Sequence, residues 1–114
     1  MPWPTPMHIV ASPNDTLYVA ELDGEVVGTF QTTLIPSMVG RGGTNFNIEA
    51  VQTRGDMRGK GIGAAMFRFA VERGREAGAR LAQLTSNKAR TDAHRFYARM
   101  GFEHSHAGFK IKLR

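Results

Sequence analysis

The sequence contains no cysteine, one tryptophan and two tyrosines among its 114 residues. Without a thiol, the chain cannot use a disulfide framework, a thiolate metal site or a cysteine nucleophile. The low number of tryptophans and tyrosines, and the lack of a recognised nucleic-acid-binding motif, make a nucleic-acid binder the least favoured interpretation. We therefore expect a fold stabilised by packing alone and no nucleic-acid partner.

A long apolar run is also missing, which argues against a membrane span and a membrane partner. Residues 1–11 lack a basic start and contain three prolines, so they do not resemble a secretory signal. With 41% apolar and 22% charged residues, the composition is that of an ordinary globular protein. We expect a soluble cytoplasmic protein with a single domain over residues 1–114.

The net charge of +5 is unevenly distributed along the chain. Residues 1–53 contain one basic residue, Arg41, and five acidic ones, whereas residues 54–114 contain fourteen basic and five acidic residues. A basic half can attract a phosphorylated small molecule, nucleic acid or an anionic membrane, or it can simply be a solvated face. Charge alone does not separate these possibilities.

The pattern of apolar residues predicts the order β-β-β-α-β-α-β-β after an irregular, proline-rich arm over residues 1–15. Alternating β-formers on both sides of Asp23-Gly24 indicate a hairpin. A helical stripe begins at Ile62 and ends at Gly78, and a second one ends at Gly101. The predicted strands cover residues 16–22, 26–35, 45–53, 80–85, 102–106 and 109–113, and the helices residues 62–77 and 91–101.

This order predicts an α+β fold with a mixed, mostly antiparallel sheet. A right-handed crossover through the first helix makes the strand over residues 80–85 parallel to the strand over residues 45–53. The sheet therefore has one parallel pair of strands near its centre and two main helices.

A glycine-rich turn joins the third predicted strand to the first helix. Glycines let the backbone approach a ligand closely, and free N–H groups at a helix N-terminus form an anion site that the helix dipole reinforces. Arg58 and Lys60 add positive charge. The turn is thus a candidate pyrophosphate site, although a glycine-rich turn can also serve only to redirect the chain.

Two well-known phosphate-binding motifs do not match this turn. Gly55 precedes Gly59-Lys60 by three intervening residues rather than four, and Gly61 stands where a nucleotide-triphosphate loop needs Ser or Thr. The spacing Gly59-x-Gly61-x-Gly63 also differs from the dinucleotide fingerprint. What matches is Arg/Gln-x-x-Gly-x-Gly/Ala, beginning at Arg58.

These stretches resemble the GNAT N-acetyltransferase superfamily, and the resemblance covers roughly residues 16–114. The order and spacing of several short segments carry it. The segments are residues 19–24, 49–53, 58–63, 84–87, Arg90 and residues 93–102.

The resemblance implies that acetyl-CoA is the cofactor and that an amine is the acceptor. Backbone amides of the glycine-rich turn would hold the pyrophosphate, and main-chain groups of Val51 and Thr53 would pair with the pantetheine like an extra strand. Asn87 and Arg90 would steady the cofactor from the other side. The residues of the turn are Arg58, Gly59, Lys60, Gly61, Ile62, Gly63 and Ala64.

Two side chains are candidates for proton transfer. Tyr97, at the position of the family's tyrosine, would protonate the departing coenzyme A thiolate, and Glu49 would accept the proton of the amine directly or through water. We expect Glu49 to be desolvated, which would raise the pKa of its carboxyl. Alternatively, Glu49 only bonds a neighbouring loop and Tyr97 is a core aromatic residue.

The histidines do not indicate a metal site, because His94, His104 and His106 lack a carboxylate or a further ligand at a recognisable spacing.

The sequence departs from the family in having almost no chain before residue 16, where members usually have a further strand and one or two helices. This would leave the outer strand of the hairpin as an exposed edge, so we expect a homodimer. It also leaves a non-catalytic acyl-CoA-binding or regulatory domain as the alternative to an N-acetyltransferase.

Overall fold

A computed structural model describes residues 4–8, 14–36 and 43–113, with the backbone alone described for residues 4–8. It contains five strands, a short 3-10 helix over Gly55–Met57 and two α-helices. The strands are β1 (Pro4–His8), β2 (Asp15–Leu22), β3 (Glu25–Pro36), β4 (Thr44–Thr53) and β5 (Leu81–Gln83), and the helices are α1 (Ile62–Glu76) and α2 (Thr91–Arg99).

The five strands form one sheet in the order β1-β2-β3-β4-β5. The first three pairs of neighbours are antiparallel, and β4 and β5 are parallel. Asp23 and Gly24 connect β2 to β3 with positive φ angles of 53° and 81°, as a two-residue hairpin turn requires. The mixed sheet with its parallel pair, and the order from the hairpin to the second helix, are confirmed, although the pair lies at one edge of the described sheet rather than near its centre.

The irregular arm expected over residues 1–15 is wrong for Pro4–His8, which form β1. This strand pairs with β2 from Pro4 opposite Ala20 to His8 opposite Thr16. Pro4 and Pro6 are two residues apart, so both lack an N–H on the same side of the strand, and an edge strand can pair through its other side. Two further expectations are therefore wrong. A strand does precede β2, and the edge of β2 is paired rather than exposed.

The chain divides into two compact units, residues 1–84 and residues 85–114. In the first unit, α1 packs on the sheet through residues spaced by one helical turn, which places Ile62, Met66, Ala70 and Gly74 on the same buried stripe. The buried apolar residues of this unit are Tyr18, Val19, Ala20, Val27, Phe30, Phe46, Ile48, Ile62, Met66, Phe67 and Ala70.

Gly78 ends α1, as expected. Its φ of 74° lies in the left-handed region, and its N–H donates to the carbonyl of Arg75 at 3.0 Å. The N–H of Ala79 donates to the carbonyl of Gly74, also at 3.0 Å. This pair of bonds satisfies carbonyl groups that the helix end would otherwise leave without donors.

The two strands expected over residues 102–106 and 109–113 are wrong, because the structure assigns no strand to these residues. Phe109, Ile111 and Leu113 alternate as a strand would, yet they are 94%, 84% and 90% exposed. Their apolar side chains therefore find no packing surface within the described part of the chain. A two-stranded hairpin without such a surface is at best marginally stable in water.

Replacing Gly74 with leucine should lower the free energy of unfolding by about 1–3 kcal/mol. A Cβ at this position would lie 3.0 Å from Cδ2 and 3.1 Å from Cγ of the rigid Phe46 ring. The control is Arg75→Leu, which puts the same side chain on the exposed face and should change stability by no more than about 0.5 kcal/mol. Equal urea midpoints for the two variants would contradict this packing.

Candidate functional site

The glycine-rich turn lies between the end of β4 and the start of α1, after the 3-10 helix. Gly59 and Gly61 have φ angles of 79° and 81°, a conformation that side chains with a Cβ rarely adopt. Space around Gly59 is open, since nothing lies within 4 Å of where its Cβ would be. The two glycines therefore shape a bare turn that a ligand can approach closely.

Six consecutive backbone amides, those of residues 59–64, have no hydrogen-bond acceptor within the described part of the chain. The N–H of Ala65 is the first to bond back into the turn, to the carbonyl of Gly61 at 3.1 Å. The amide of Arg58 differs from expectation, because it donates to the carbonyl of Gly55 at 3.5 Å. A row of open amides at the positive end of a helix dipole is suited to an anion.

Charged side chains surround this row. Arg58 and Lys60 are both exposed. Hydrogen bonds from the Arg54 guanidinium hold the pKa of the Asp56 carboxyl below its ordinary value, and the charge of Lys60 acts in the same direction. The turn thus has two cationic side chains, Arg58 and Lys60. The carboxylate of Asp56, in the 3-10 helix just before the turn, is paired with Arg54.

A β-bulge interrupts β4 just before the turn. Thr29 pairs with Gln52 and Gln31 with Glu49, so Phe30 alone faces two residues of β4, Ala50 and Val51. Ala50 has a positive φ of 53°. Such a bulge bends the strand and alters its twist.

The bulge follows the point where β4 leaves its parallel neighbour. The ladder between β4 and β5 ends at the pair of Asn47 and Gln83, whose side chains are joined by a hydrogen bond of 2.7 Å. Beyond that pair, no described strand lies against the β5 side of β4. Main-chain groups of Val51 and Thr53 are in this open section, as the proposed pairing with a pantetheine requires.

Glu49 is exposed, so the desolvated surroundings expected for its carboxyl are not found. Its neighbour Ile48 is buried at 2% exposure. Successive side chains of a strand point to opposite faces, and Glu49 therefore points away from the face that Ile48 buries.

In the second unit, Asn87 organises the turn that precedes α2. Its side-chain oxygen accepts a hydrogen bond from the N–H of Ala89 at 2.9 Å. Its carbonyl oxygen accepts bonds from the N–H of Arg90 at 3.0 Å and from the Nε2 of His94 at 2.9 Å. Asn87 and Arg90 are both exposed. These bonds fix the backbone of the turn.

Tyr97 lies on α2 and is partly buried. Its ring makes edge contacts with Phe96 and Phe102, at centroid distances of 5.8 Å and 6.4 Å. The N–H of Phe102 also donates to the carbonyl of Tyr97 at 3.0 Å. The aromatic contacts and this bond restrict the orientation of the tyrosine.

The structure brings some of the expected site residues together in one segment of the first unit, from β4 through the turn to α1. The others, Asn87, Arg90 and Tyr97, belong to the second unit. The residues in the first segment are Glu49, Val51, Thr53, Arg58, Gly59, Lys60, Gly61, Ile62, Gly63 and Ala64.

Sequence reasoning missed Arg54, the first residue after β4, whose guanidinium contacts two carboxylates. The spacing Arg54-x-Asp56 contained a signal for the nearer pair, but nothing in the sequence indicated the partner on β3.

The described residues contain neither a cluster suited to a metal ion nor a helix suited to cross a membrane. They contain no group of three or more His, Cys, Asp or Glu side chains placed to hold a metal ion. Neither described helix combines the length and apolar character needed to cross a membrane.

Known proteins resemble this chain in sequence and in fold. A family model described as the acetyltransferase (GNAT) family matches residues 2–102. The curated aminoalkylphosphonate N-acetyltransferase of Salmonella typhimurium is 47% identical over 57 residues, which are 50% of this chain and 37% of that protein. The match thus spans well under half of that relative.

Two solved structures are similar over most of the chain. A transcriptional regulator from Bacillus halodurans C-125 is 41% identical with a TM-score of 0.87, and the match covers 90% of this chain and 69% of that one. A proposed acetyltransferase from Agrobacterium tumefaciens is 29% identical with a TM-score of 0.84, covering 90% of this chain and 72% of that one.

Replacing Ala50 with glycine should raise the free energy of unfolding by about 1 kcal/mol, because glycine adopts the positive φ of this bulge residue without strain. The control is Ala82→Gly in β5, where the loss of a side chain from a regular strand should lower stability by about 0.5–1 kcal/mol. Urea denaturation measures both changes. A loss of stability in both variants would contradict a strained Ala50.

Proposed function

Because the chain belongs to the acetyltransferase (GNAT) family, we propose that it is an acetyl-CoA-dependent N-acetyltransferase that acts on a primary amine of a small molecule or protein. The observation that carries the proposal is the open row of amides over residues 59–64, with Arg58 and Lys60 beside it. An array of free N–H groups at a helix N-terminus has the chemistry that a pyrophosphate needs.

The residues present fit the coenzyme. Amides 59–64 would donate to the pyrophosphate oxygens, and Arg58 and Lys60 would balance its charge. Main-chain groups of Val51 and Thr53 would bond the pantetheine amides along the open edge of β4, in the manner of an added strand. Asn87 and Arg90 would supply further polar contacts. Bound acetyl-CoA supplies the thioester carbonyl that the amine attacks.

Proton transfer is assigned to Glu49 and Tyr97. The attacking nitrogen must lose a proton, and the exposure of Glu49 favours a route through water to its carboxylate. The Tyr97 phenol would donate a proton to the sulfur of the departing thiolate. Its aromatic contacts with Phe96 and Phe102 would hold the phenol in one orientation.

A non-catalytic acyl-CoA-binding or regulatory domain is the second candidate. The exposure of Glu49 favours it, because no desolvated base is found on β4. Tight binding of acetyl-CoA without coenzyme A release, whatever amine is offered, would distinguish this domain from an enzyme.

The acceptor is proposed only as a class. The name of the Salmonella relative supports testing amines that carry a phosphonate, while the acidic first half of the chain favours a cationic amine. A cytoplasmic location and a homodimer remain predictions. The original premise of the homodimer, an exposed edge at β2, no longer holds, because β1 pairs with β2.

Acetyl-CoA at about 100 times its Kd should raise the Tm by about 10 °C, which corresponds to about 2.7 kcal/mol of stabilisation. Gly61→Glu should abolish this shift, because it puts a side chain and a negative charge at the turn. The control is Gly108→Glu, which makes the same change at an exposed glycine with open space around it. No shift for the unaltered protein would contradict the proposed cofactor.

Tyr97→Phe should lower kcat by about 100-fold or more, because it removes the general acid while keeping the ring. Glu49→Gln should lower kcat similarly, and both variants should keep the affinity for acetyl-CoA. The matched control is Tyr18→Phe, in the core of the first unit. Coenzyme A release is measured with a panel of amines that includes an aminoalkylphosphonate, and an unchanged kcat for Tyr97→Phe would exclude its assigned role.

A further inference from the structure

Arg54 follows the end of β4, and its side chain contacts both β3 and the 3-10 helix. Its Nη1 donates to Oε2 of Glu25, at the start of β3, at 2.8 Å. Its Nε and Nη2 donate to Oδ1 and Oδ2 of Asp56 at 2.7 Å and 3.2 Å. The two bonds to Asp56 form the planar, two-pronged arrangement that a guanidinium makes with a carboxylate.

The backbone of Arg54 belongs to the same arrangement. Its N–H donates to the carbonyl of Val27 at 2.8 Å, and its carbonyl accepts the N–H of Met57 at 2.9 Å. The residue is therefore fixed to β3 on one side and to the 3-10 helix on the other. That helix leads directly into the turn, so the backbone bonds of Arg54 lie next to the segment that carries the row of amides.

Arg54 also compensates the negative charge of Asp56. Asp56 lies two residues before Arg58, and its pKa is lowered chiefly by the hydrogen bonds from Arg54. An Asp carboxyl is ionised at neutral pH in any case, and the lowered pKa of Asp56 extends its ionised range further into acid. An uncompensated carboxylate there would repel a pyrophosphate and would attract Lys60 away from it.

We propose that Arg54 is a positioning residue for the coenzyme. Paired with Glu25 and Asp56, it holds the 3-10 helix against β3, and it compensates the charge of Asp56, which lies two residues before Arg58 in the chain. This inference rests on the proposed function, and it assigns Arg54 a role in affinity for acetyl-CoA rather than in the chemical step.

The test is the affinity of Arg54→Gln for acetyl-CoA, measured by calorimetry at low salt. The Kd should rise about fivefold, because the unpaired Asp56 carboxylate repels the pyrophosphate and the 3-10 helix loses its tie to Glu25. The KM for acetyl-CoA should rise by the same factor while kcat stays unchanged. The control is Arg75→Gln on α1, which removes an exposed arginine whose partner among the described residues is Glu72, and it should leave both constants as they are.

A second substitution separates the charge effect from a general loss of structure. Adding Asp56→Asn to Arg54→Gln removes the unpaired carboxylate and should recover most of the lost affinity. If Arg54→Gln does not fold, Glu25→Gln keeps the pair of Arg54 and Asp56, and it should weaken binding about twofold through the lost tie to β3.

The two proposals fail in different ways. If the unaltered protein does not bind acetyl-CoA, the proposed function is wrong. If it binds, the role of Arg54 is overturned by any of three results: a Kd of Arg54→Gln equal to that of the unaltered protein, a loss in kcat instead of KM, or no recovery in the double variant.

Discussion

The geometry of the candidate site depends on a row of backbone amides, those of residues 59–64, to which the described residues offer no acceptor. Every helix begins with such groups, but most are capped by a side chain or covered by the chain that precedes them. Here Gly59 and Gly61 turn the backbone through the left-handed region, and no side chain caps the start of α1. Burial of Ile62 and Met66 against the sheet fixes the direction of the helix. Packing in the core therefore orients the amides at the surface.

The bulge in β4 and the glycine-rich turn belong to one continuous stretch of backbone. The strand loses its parallel neighbour after Asn47, bends at Ala50 and then leads through Arg54 into the 3-10 helix. An extended ligand that bonds the open edge of the strand therefore meets the amides of the turn next. Ala50 has a positive φ, a conformation that costs free energy for a residue with a Cβ, and it has this φ at the bend of β4.

Local patterns predicted most of the elements, because alternation, helical period and glycine position are properties of short segments. The hairpin at Asp23-Gly24, the stop of α1 at Gly78 and the parallel pair follow from such signals. The errors arose where a segment depends on a distant partner. Proline content near Pro4 indicated an irregular arm, yet an edge strand tolerates it, and the alternation around Phe109 indicated a strand for which the described residues offer no packing surface.

The same distinction between local signals and distant partners applies to the candidate site. The turn could be predicted from spacing and charge, whereas the surroundings of Glu49 could not, because the alternation of β4 does not tell which face another element will cover. The bulge left no sequence signal, since alanine is an ordinary strand residue elsewhere. Arg54 was missed because one of its two partners lies twenty-nine positions earlier in the chain.

The prolines of β1 have a consequence for how copies of the chain behave in a crowded solution. An outer strand normally offers alternating donors and acceptors that template the addition of another strand, which is a route to fibrils. If the nitrogens of Pro4 and Pro6 face away from β2, the outer edge of β1 offers carbonyl acceptors without the N–H donors that normally alternate with them. At the β1 edge, a strand from another copy of the chain would then find no regular ladder of donors and acceptors to extend.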